Sequence, residues 1–184
     1  MRLFIAVPLP RRALAEADEL LRGLQARNWP VRWVREEGLH LTLKFFGEVT
    51  SDRVDAIEEM VQFATAGMRP IEMATQGGGA FPTRQRPRVL RLEVRAGPEL
   101  ELLQDRLERG GEGIGFPPEG RPFRPHITLG RVREGHRLPA GAIPYLESLP
   151  HGTPFLADRV VLFESRLSAR GPAYHPRVEQ QLAE

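Results

Sequence analysis

The chain has 184 residues, of which 41% are apolar and 27% charged. No stretch nears the roughly 18 consecutive apolar residues that a membrane span needs. The absence of Cys excludes disulfides and thiolate-held metals, and a formal net charge of +2 provides no broad cationic field. Lys44 is the sole lysine among 26 basic residues. The rest are Arg, whose planar fork suits phosphate oxygens.

Residues 2–7 read as a buried strand closed by Pro8 and Pro10. This apolar start is too short for a signal peptide, so the cytoplasm is the expected location. Residues 11–26 carry Leu14, Ala17, Leu20, Leu21 and Leu24 at helical spacing. A short strand is expected over Val31–Val34, and a longer one from Leu39 to Val49. Thr50-Ser51-Asp52 marks a helix start, continued by Val54, Ile57, Met60, Val61 and Ala64 and stopped by Gly67 and Pro70. Residues 71–75 suggest a strand. Gly77-Gly78-Gly79 lacks the spacing of a phosphate-binding fingerprint and reads as a turn.

In the second half, Val89, Leu90, Leu92 and Val94 predict a strand, and Leu100, Leu103 and Leu107 a helix over 98–109. Gly110 to Pro122 reads as a mobile Gly/Pro/Glu loop. Phe123 to Val132 is apolar with basic ends. A short helix over 142–149 and strands over Phe155–Phe163 and Tyr174–Val178, around a Gly171-Pro172 turn, complete the chain. The order strand, helix, strand thus occurs twice. With no low-complexity linker between the halves, residues 1–184 are expected to form one bilobal α/β unit whose lobes are not independently stable.

One phrase is said twice: His40-Leu41-Thr42-Leu43 and His126-Ile127-Thr128-Leu129. On a strand, His and Thr at i and i+2 share a face and the aliphatic pair shares the other. A lone strand histidine is more often a satisfied core group than a catalyst. Two copies of the whole phrase suggest two halves bringing matched groups to one cleft, beside Arg121, Arg124, Arg131 and Arg133.

Two opposed imidazoles can act as acid and base, since histidine exchanges its proton near neutrality. Threonine hydroxyls beside them can donate to non-bridging phosphate oxygens. In-line attack at phosphorus needs both: acid and base on opposite sides, and donors at the equatorial oxygens. A metal centre fits less well. Two His are too few for a typical zinc site, and His136, His151 and His175 lie in Pro/Gly-rich stretches without metal spacing. Asp158 and Glu164 are the nearest carboxylate candidates, and nothing in the sequence brings them to the motifs. A serine hydrolase also fits poorly, because no Gly-x-Ser-x-Gly elbow is present.

The two phrases and their flanks carry a resemblance. Arg2-Leu3-Phe4-Ile5-Ala6-Val7, Arg32-Trp33-Val34, Leu39 to Glu48, Phe123 to Val132 and Phe163-Glu164-Ser165-Arg166-Leu167-Ser168 together resemble the RNA 2′,3′-cyclic phosphodiesterase family, first described as bacterial 2′-5′ RNA ligases, within the two-histidine phosphoesterases. The resemblance implies two pseudo-symmetric lobes, each an antiparallel sheet flanked by helices, with the active-site cleft between them. It implies hydrolysis of an RNA 2′,3′-cyclic phosphate to a 2′-phosphomonoester without metal or cofactor, with reversible 2′-5′ ligation beside it. In that scheme His40 is the proton donor to the 3′ oxygen and His126 the proton acceptor from water. Thr42, Thr128 and Arg131 hold the phosphate. The implied partner is RNA or a nucleotide with a 2′,3′-cyclic phosphate, with no membrane, and a monomer is expected. The alternative is a non-catalytic module that binds RNA ends or nucleotides in the same cleft. It would be stabilised by ligand and release no product. Phe45, Phe46, Phe81 and Trp33 could stack a base, though a core role is the commoner one for each.

Overall fold

The computed structural model describes residues 1–183. Nine strands and four α-helices occur among these residues. The strands are β1 (Arg2–Pro8), β2 (Val31–Trp33), β3 (His40–Glu48), β4 (Ile71–Pro82), β5 (Pro87–Ala96), β6 (His126–Val132), β7 (Phe155–Ala157), β8 (Arg159–Ser168) and β9 (Gly171–Gln181). The helices are α1 (Arg11–Gln25), α2 (Val54–Thr65), α3 (Pro98–Gly113) and α4 (Ala142–Glu147). None of them is long and apolar enough to cross a membrane.

All nine strands belong to one antiparallel sheet, in the order β7-β4-β5-β6-β3-β1-β8-β9, with β2 laid along β6. The sheet curls into an open half-barrel of two lobes. They meet where β3 and β6 touch, through the single register pair Leu41↔Ile127. The expectation of a separate sheet in each lobe is therefore refined: the two ladders are fused at the motif strands. Both residues at the seam are fully buried, and truncating either to Ala would cost about 2–5 kcal/mol.

One face of the sheet carries the core. Leu3, Ile5 and Val7 of β1, Leu41 and Leu43 of β3, Leu90 and Leu92 of β5, and Ile127 and Leu129 of β6 are buried there against the helices. Helix α1 presents Ala13, Ala17, Leu21 and Leu24, a helical stripe. It lies over the segment after α4, where Glu16 accepts from the Thr153 backbone N–H at 2.9 Å. Helix α3 begins on Pro98, which has no N–H to satisfy at a helix start. It buries Leu100, Leu103 and Leu107 and packs on β3 and α2. Each half therefore sends a helix to the other: β1 leads into α1 beside β4, and β5 leads into α3 beside β3.

Three expectations change. Gly77–Gly79 is not a turn but the middle of β4. A Cβ on Gly78 would stand 2.6 Å from the Leu146 carbonyl oxygen, and one on Gly77 would stand 3.2 Å from that of Glu147. The glycines let α4 lie directly on the strand. Phe155–Phe163 is two strands: β7 pairs with β4 at one edge, while β8 crosses to β1. Helix α3 runs to Gly113, and the loop after it is anchored. Glu119 donates its backbone N–H to Glu108 at 2.9 Å, Arg53 binds the Ile114 carbonyl, and Phe116 meets Phe46 edge-on at 4.9 Å.

Candidate active site

The face opposite the core is the cleft. Around the Leu41↔Ile127 seam the antiparallel register sets His40 across from Thr128 and Thr42 across from His126. The two motifs are thus related by a local two-fold, and all four polar groups share one face.

Each motif strand then carries a β-bulge at its second leucine. On β3, Thr42 pairs with Ala6 and Lys44 with Ile5, so Leu43 is the extra residue. On β6, Thr128 pairs with Arg91 and Gly130 with Leu90, so Leu129 is extra. A bulge shifts the alternation of faces by one. Residue five past each histidine therefore joins the cleft face: Arg131 on β6 and Phe45 on β3. Lys44 is turned to the helix side, where it is buried and bonds Glu108 at 2.8 Å.

The surroundings of the two histidines differ. His40 lies in an aromatic box: Phe4 stacks on it at 5.0 Å, Tyr174 meets it edge-on at 5.3 Å, and Phe163 is tilted at 6.4 Å. This desolvation drives its pKa down to about 4, opposed by a hydrogen bond to the Gly38 backbone and assisted by repulsion from His126. His40 Nε2 lies 3.1 Å from the Thr42 hydroxyl. His126 stands among charges. Burial again lowers its pKa first, the Arg124 carbonyl raises it, and Arg91, Glu93 and Arg131 act beyond that. Its Nδ1 lies 2.7 Å from the Arg124 carbonyl oxygen. Nδ1 therefore carries the proton, and Nε2 is left with its lone pair towards the cleft.

Arg91 and Glu93 are site residues that the sequence reading missed. They face Thr128 and His126 across the β5–β6 ladder, and Arg91 Nε donates to Glu93 at 2.8 Å. Arg91 is buried. Their signal was present as polar alternation with Leu90, Leu92 and Val94, which a solvated strand face shows equally. Gly79 admits this ion pair, since a Cβ there would stand 2.7 Å from Glu93 Oε1. Phe4, Phe163 and Tyr174 were also missed as parts of the site.

Of the sequence candidates, His40, Thr42, His126, Thr128 and Arg131 share the cleft face. Arg121 lies over the Phe81 ring at 5.1 Å. Phe45 is half exposed under Arg2. Phe46 and Trp33 pack against the core. Glu164 faces the helix side, paired with Arg166 at 2.9 Å, and His136 folds back on the Glu134 carbonyl. Among the described residues no group of three or more His, Asp or Glu is placed to hold a metal ion.

A cleft with two matched His/Thr strands at a pseudo-two-fold seam is the architecture of a phosphoesterase. The family model described as "LigT like Phosphoesterase" matches the chain twice, over residues 7–91 and 92–174, and the chain belongs to that family. The tandem match divides the chain between the two motifs, as the repeat does. Curated relatives include the RNA 2′,3′-cyclic phosphodiesterase of Methanothermobacter thermautotrophicus, 33% identical with 95% of each chain covered. That of Thermotoga maritima is 32% identical, covering 98% of this chain and 95% of its own. Among solved structures, TT0787 of Thermus thermophilus superposes with a TM-score of 0.82 at 28% identity, covering 99% of this chain and 98% of its own. E. coli LigT complexed with 3′-AMP gives 0.76 at 26%, covering 100% and 98%.

Proposed function

We propose that this enzyme hydrolyses RNA 2′,3′-cyclic phosphodiester ends to 2′-phosphomonoesters, with His40 and His126 as acid and base and with no metal. The observation that carries the reading is the pseudo-two-fold placement of His40/Thr42 and His126/Thr128 on one cleft face. The names of the relatives supply the substrate class.

His126 Nε2, unprotonated, takes a proton from water as the water attacks phosphorus. His40 Nε2 gives its proton to the departing 3′ oxygen. Thr42 and Thr128 donate to the non-bridging oxygens, and Arg131 balances the charge that gathers there. The 2′–O–P bond is kept, so the product is the 2′-phosphate. A 5′-hydroxyl in place of water would attack along the same path and expel the same 3′ oxygen, giving a 2′-5′ linkage, with His126 taking the hydroxyl proton and His40 giving one to the leaving oxygen. The low pKa of His40 fits this scheme: an anionic phosphate arriving beside it restores the proton that the acid must carry.

The test is incubation with a nucleoside 2′,3′-cyclic phosphate and with a cyclic-ended oligoribonucleotide, in EDTA, with the product isomer identified. A 2′-phosphate formed at an undiminished rate is the expected result. Turnover that is lost in EDTA and restored by zinc or manganese would overturn the metal-free reading. Ligand-induced stabilisation without product would favour a binding module instead.

A further inference from the structure

We propose that Arg32 and Arg131 form a clamp for two consecutive phosphates, Arg131 at the cyclic end and Arg32 at the phosphodiester one nucleotide upstream. The cleft is thereby built for the 3′ end of an RNA strand rather than for a mononucleotide. This rests on the reading of the preceding subsection and adds to it a strand-recognition site.

The two arginines are direct cross-strand partners on β2 and β6. Such partners have Cβ atoms about 5 Å apart, and like charges there repel. Both point to the cleft side. Val31, next to Arg32, is buried, and Trp33 on its other side packs against the core, so alternation turns Arg32 the opposite way. Arg131 reaches that face through the bulge at Leu129.

Neither guanidinium has a hydrogen-bonded or ion-paired partner among the described residues. Several other arginines are met by a carboxylate: Glu93 for Arg91, Glu147 for Arg84 and Glu164 for Arg166. Here two positive charges stand in register without one, which is an arrangement an anion completes. Arg131 is felt electrostatically by both His126 and Tyr174, so it extends towards the reacting end of the cleft. Arg32 stands beside it on β2, which lies along the edge of β6 that also meets β3. Neighbouring strands lie roughly 4.8 Å apart, and the length of two Arg side chains lets them engage separate phosphates.

The experiment compares binding of adenosine 2′-phosphate with that of a diadenylate ending in the same 2′-phosphate, by calorimetry, for the wild type, Arg32→Ala, Arg32→Lys and Arg131→Ala, each checked for an unchanged melting temperature. The wild type should bind the dinucleotide at least tenfold more tightly than the mononucleotide. Arg32→Ala should reduce that gain to below threefold, and Arg32→Lys should recover part of it. The salt dependence of dinucleotide binding should fall by about 0.7 in log–log slope in Arg32→Ala, the value of one single-strand phosphate contact. Arg131→Ala should weaken both ligands. The clamp is overturned if the wild type shows no gain, if Arg32→Ala keeps it, or if Arg32→Ala weakens both ligands by one factor, which would put both arginines on a single phosphate. Turnover of the cyclic phosphate is scored separately. A gain that depends on Arg32, without turnover, would sink the hydrolase reading and leave the clamp standing.

Discussion

Glu93 stands directly across the β5–β6 ladder from His126, with its carboxylate tied to Arg91 at 2.8 Å. On the other strand, the corresponding neighbour of His40 in β1 is Pro8, and that of Thr42 is Ala6. The two matched motif strands are thus set in unmatched surroundings, aromatic on one side and ionic on the other. In the proposed mechanism that difference lets two identical imidazoles take different roles.

The ion pair should act on His126. Glu93 raises the His126 pKa, so Glu93→Gln should move the acid limb of kcat/KM to lower pH. It should also cost roughly 1–3 kcal/mol, because a buried Arg91 loses its charged acceptor. Gly79→Ala should disturb the same carboxylate sterically and lower kcat/KM about tenfold, an effect of roughly 1.4 kcal/mol. Gly113→Ala, where a Cβ meets nothing within 4 Å, is the control and should stabilise the protein by about 0.4–1 kcal/mol. Equal effects of the two alanine variants on activity would remove Gly79 from the argument.

His40 should make the fold acid-labile. Its pKa is about 6.5 in the unfolded chain and about 4 in the fold. Between those values the unfolded chain binds more protons, so stability is complete above about pH 6.5 and is lost as the pH falls towards 4. The full shift corresponds to on the order of 3 kcal/mol. Urea titrations at intervals from pH 7 to 4 should show this loss in the wild type. A flatter profile is expected in His40→Phe, which also suits the Phe4–Tyr174–Phe163 box. Parallel profiles would mean that the histidine is hydrated in solution.

Ligand binding should reverse that depression. NMR titration of the His40 ring should show its pKa rising by roughly 1–3 units when a nucleoside 2′-phosphate is bound, the scale of one opposite charge in contact. The acid limb of kcat/KM, set by the free protein, should follow His126, and the alkaline limb of kcat should follow the ligand-raised His40. No change in the His40 titration with ligand would leave it without a proton to give at neutral pH.

The threonines should be separable. Thr42→Val removes both a proposed phosphate donor and the 3.1 Å neighbour of His40 Nε2, whereas Thr128→Val removes a proposed donor beside Arg91. Each should cost about 1–3 kcal/mol of barrier. Only Thr42→Val should also shift the His40 titration in the unliganded protein. A shift in both variants, or in neither, would show that the hydroxyl does not touch the ring in solution.

Lys44 should matter for the fold and not for the chemistry. Lys44→Met leaves the half-buried Glu108 carboxylate without its cation and should destabilise the protein by about 1–3 kcal/mol. Glu108 also accepts from the Glu119 backbone N–H, so cleavage by protease within residues 114–125 should accelerate. Unchanged proteolysis would mean that the loop is held by Arg53 and Phe116 alone.

Periodicity made α1 and α2 legible, because their buried stripes are dense in Leu, Ile, Val and Ala with charges between. The motif strands were legible because each says its phrase in full. Other features depend on partners distant in sequence. Gly77–Gly79 looks like punctuation until the missing Cβ positions are seen to be occupied, those of Gly77 and Gly78 by the α4 backbone and that of Gly79 by the Glu93 carboxylate. No Gly or Pro marks Asp158, yet the chain there leaves one edge of the sheet for the far side of its middle. The bulges at Leu43 and Leu129 have no local signature, so strict alternation would have kept Arg131 off the cleft face. Its inclusion came from resemblance and not from pattern.

Those bulges have a consequence for direction. The frame around the seam is nearly symmetric, so either motif could in principle receive either end of a ligand. The slot five residues past each histidine breaks the tie: a guanidinium at Arg131 and, at Phe45, an aromatic ring with Arg2 lying over it, reached by the same geometric step. A molecule with charge at one end and a flat base at the other meets different chemistry in its two orientations. On the proposed function the fold is a polarised socket, and a single exchange at either slot would alter which way round a strand is seated while leaving both histidines in place.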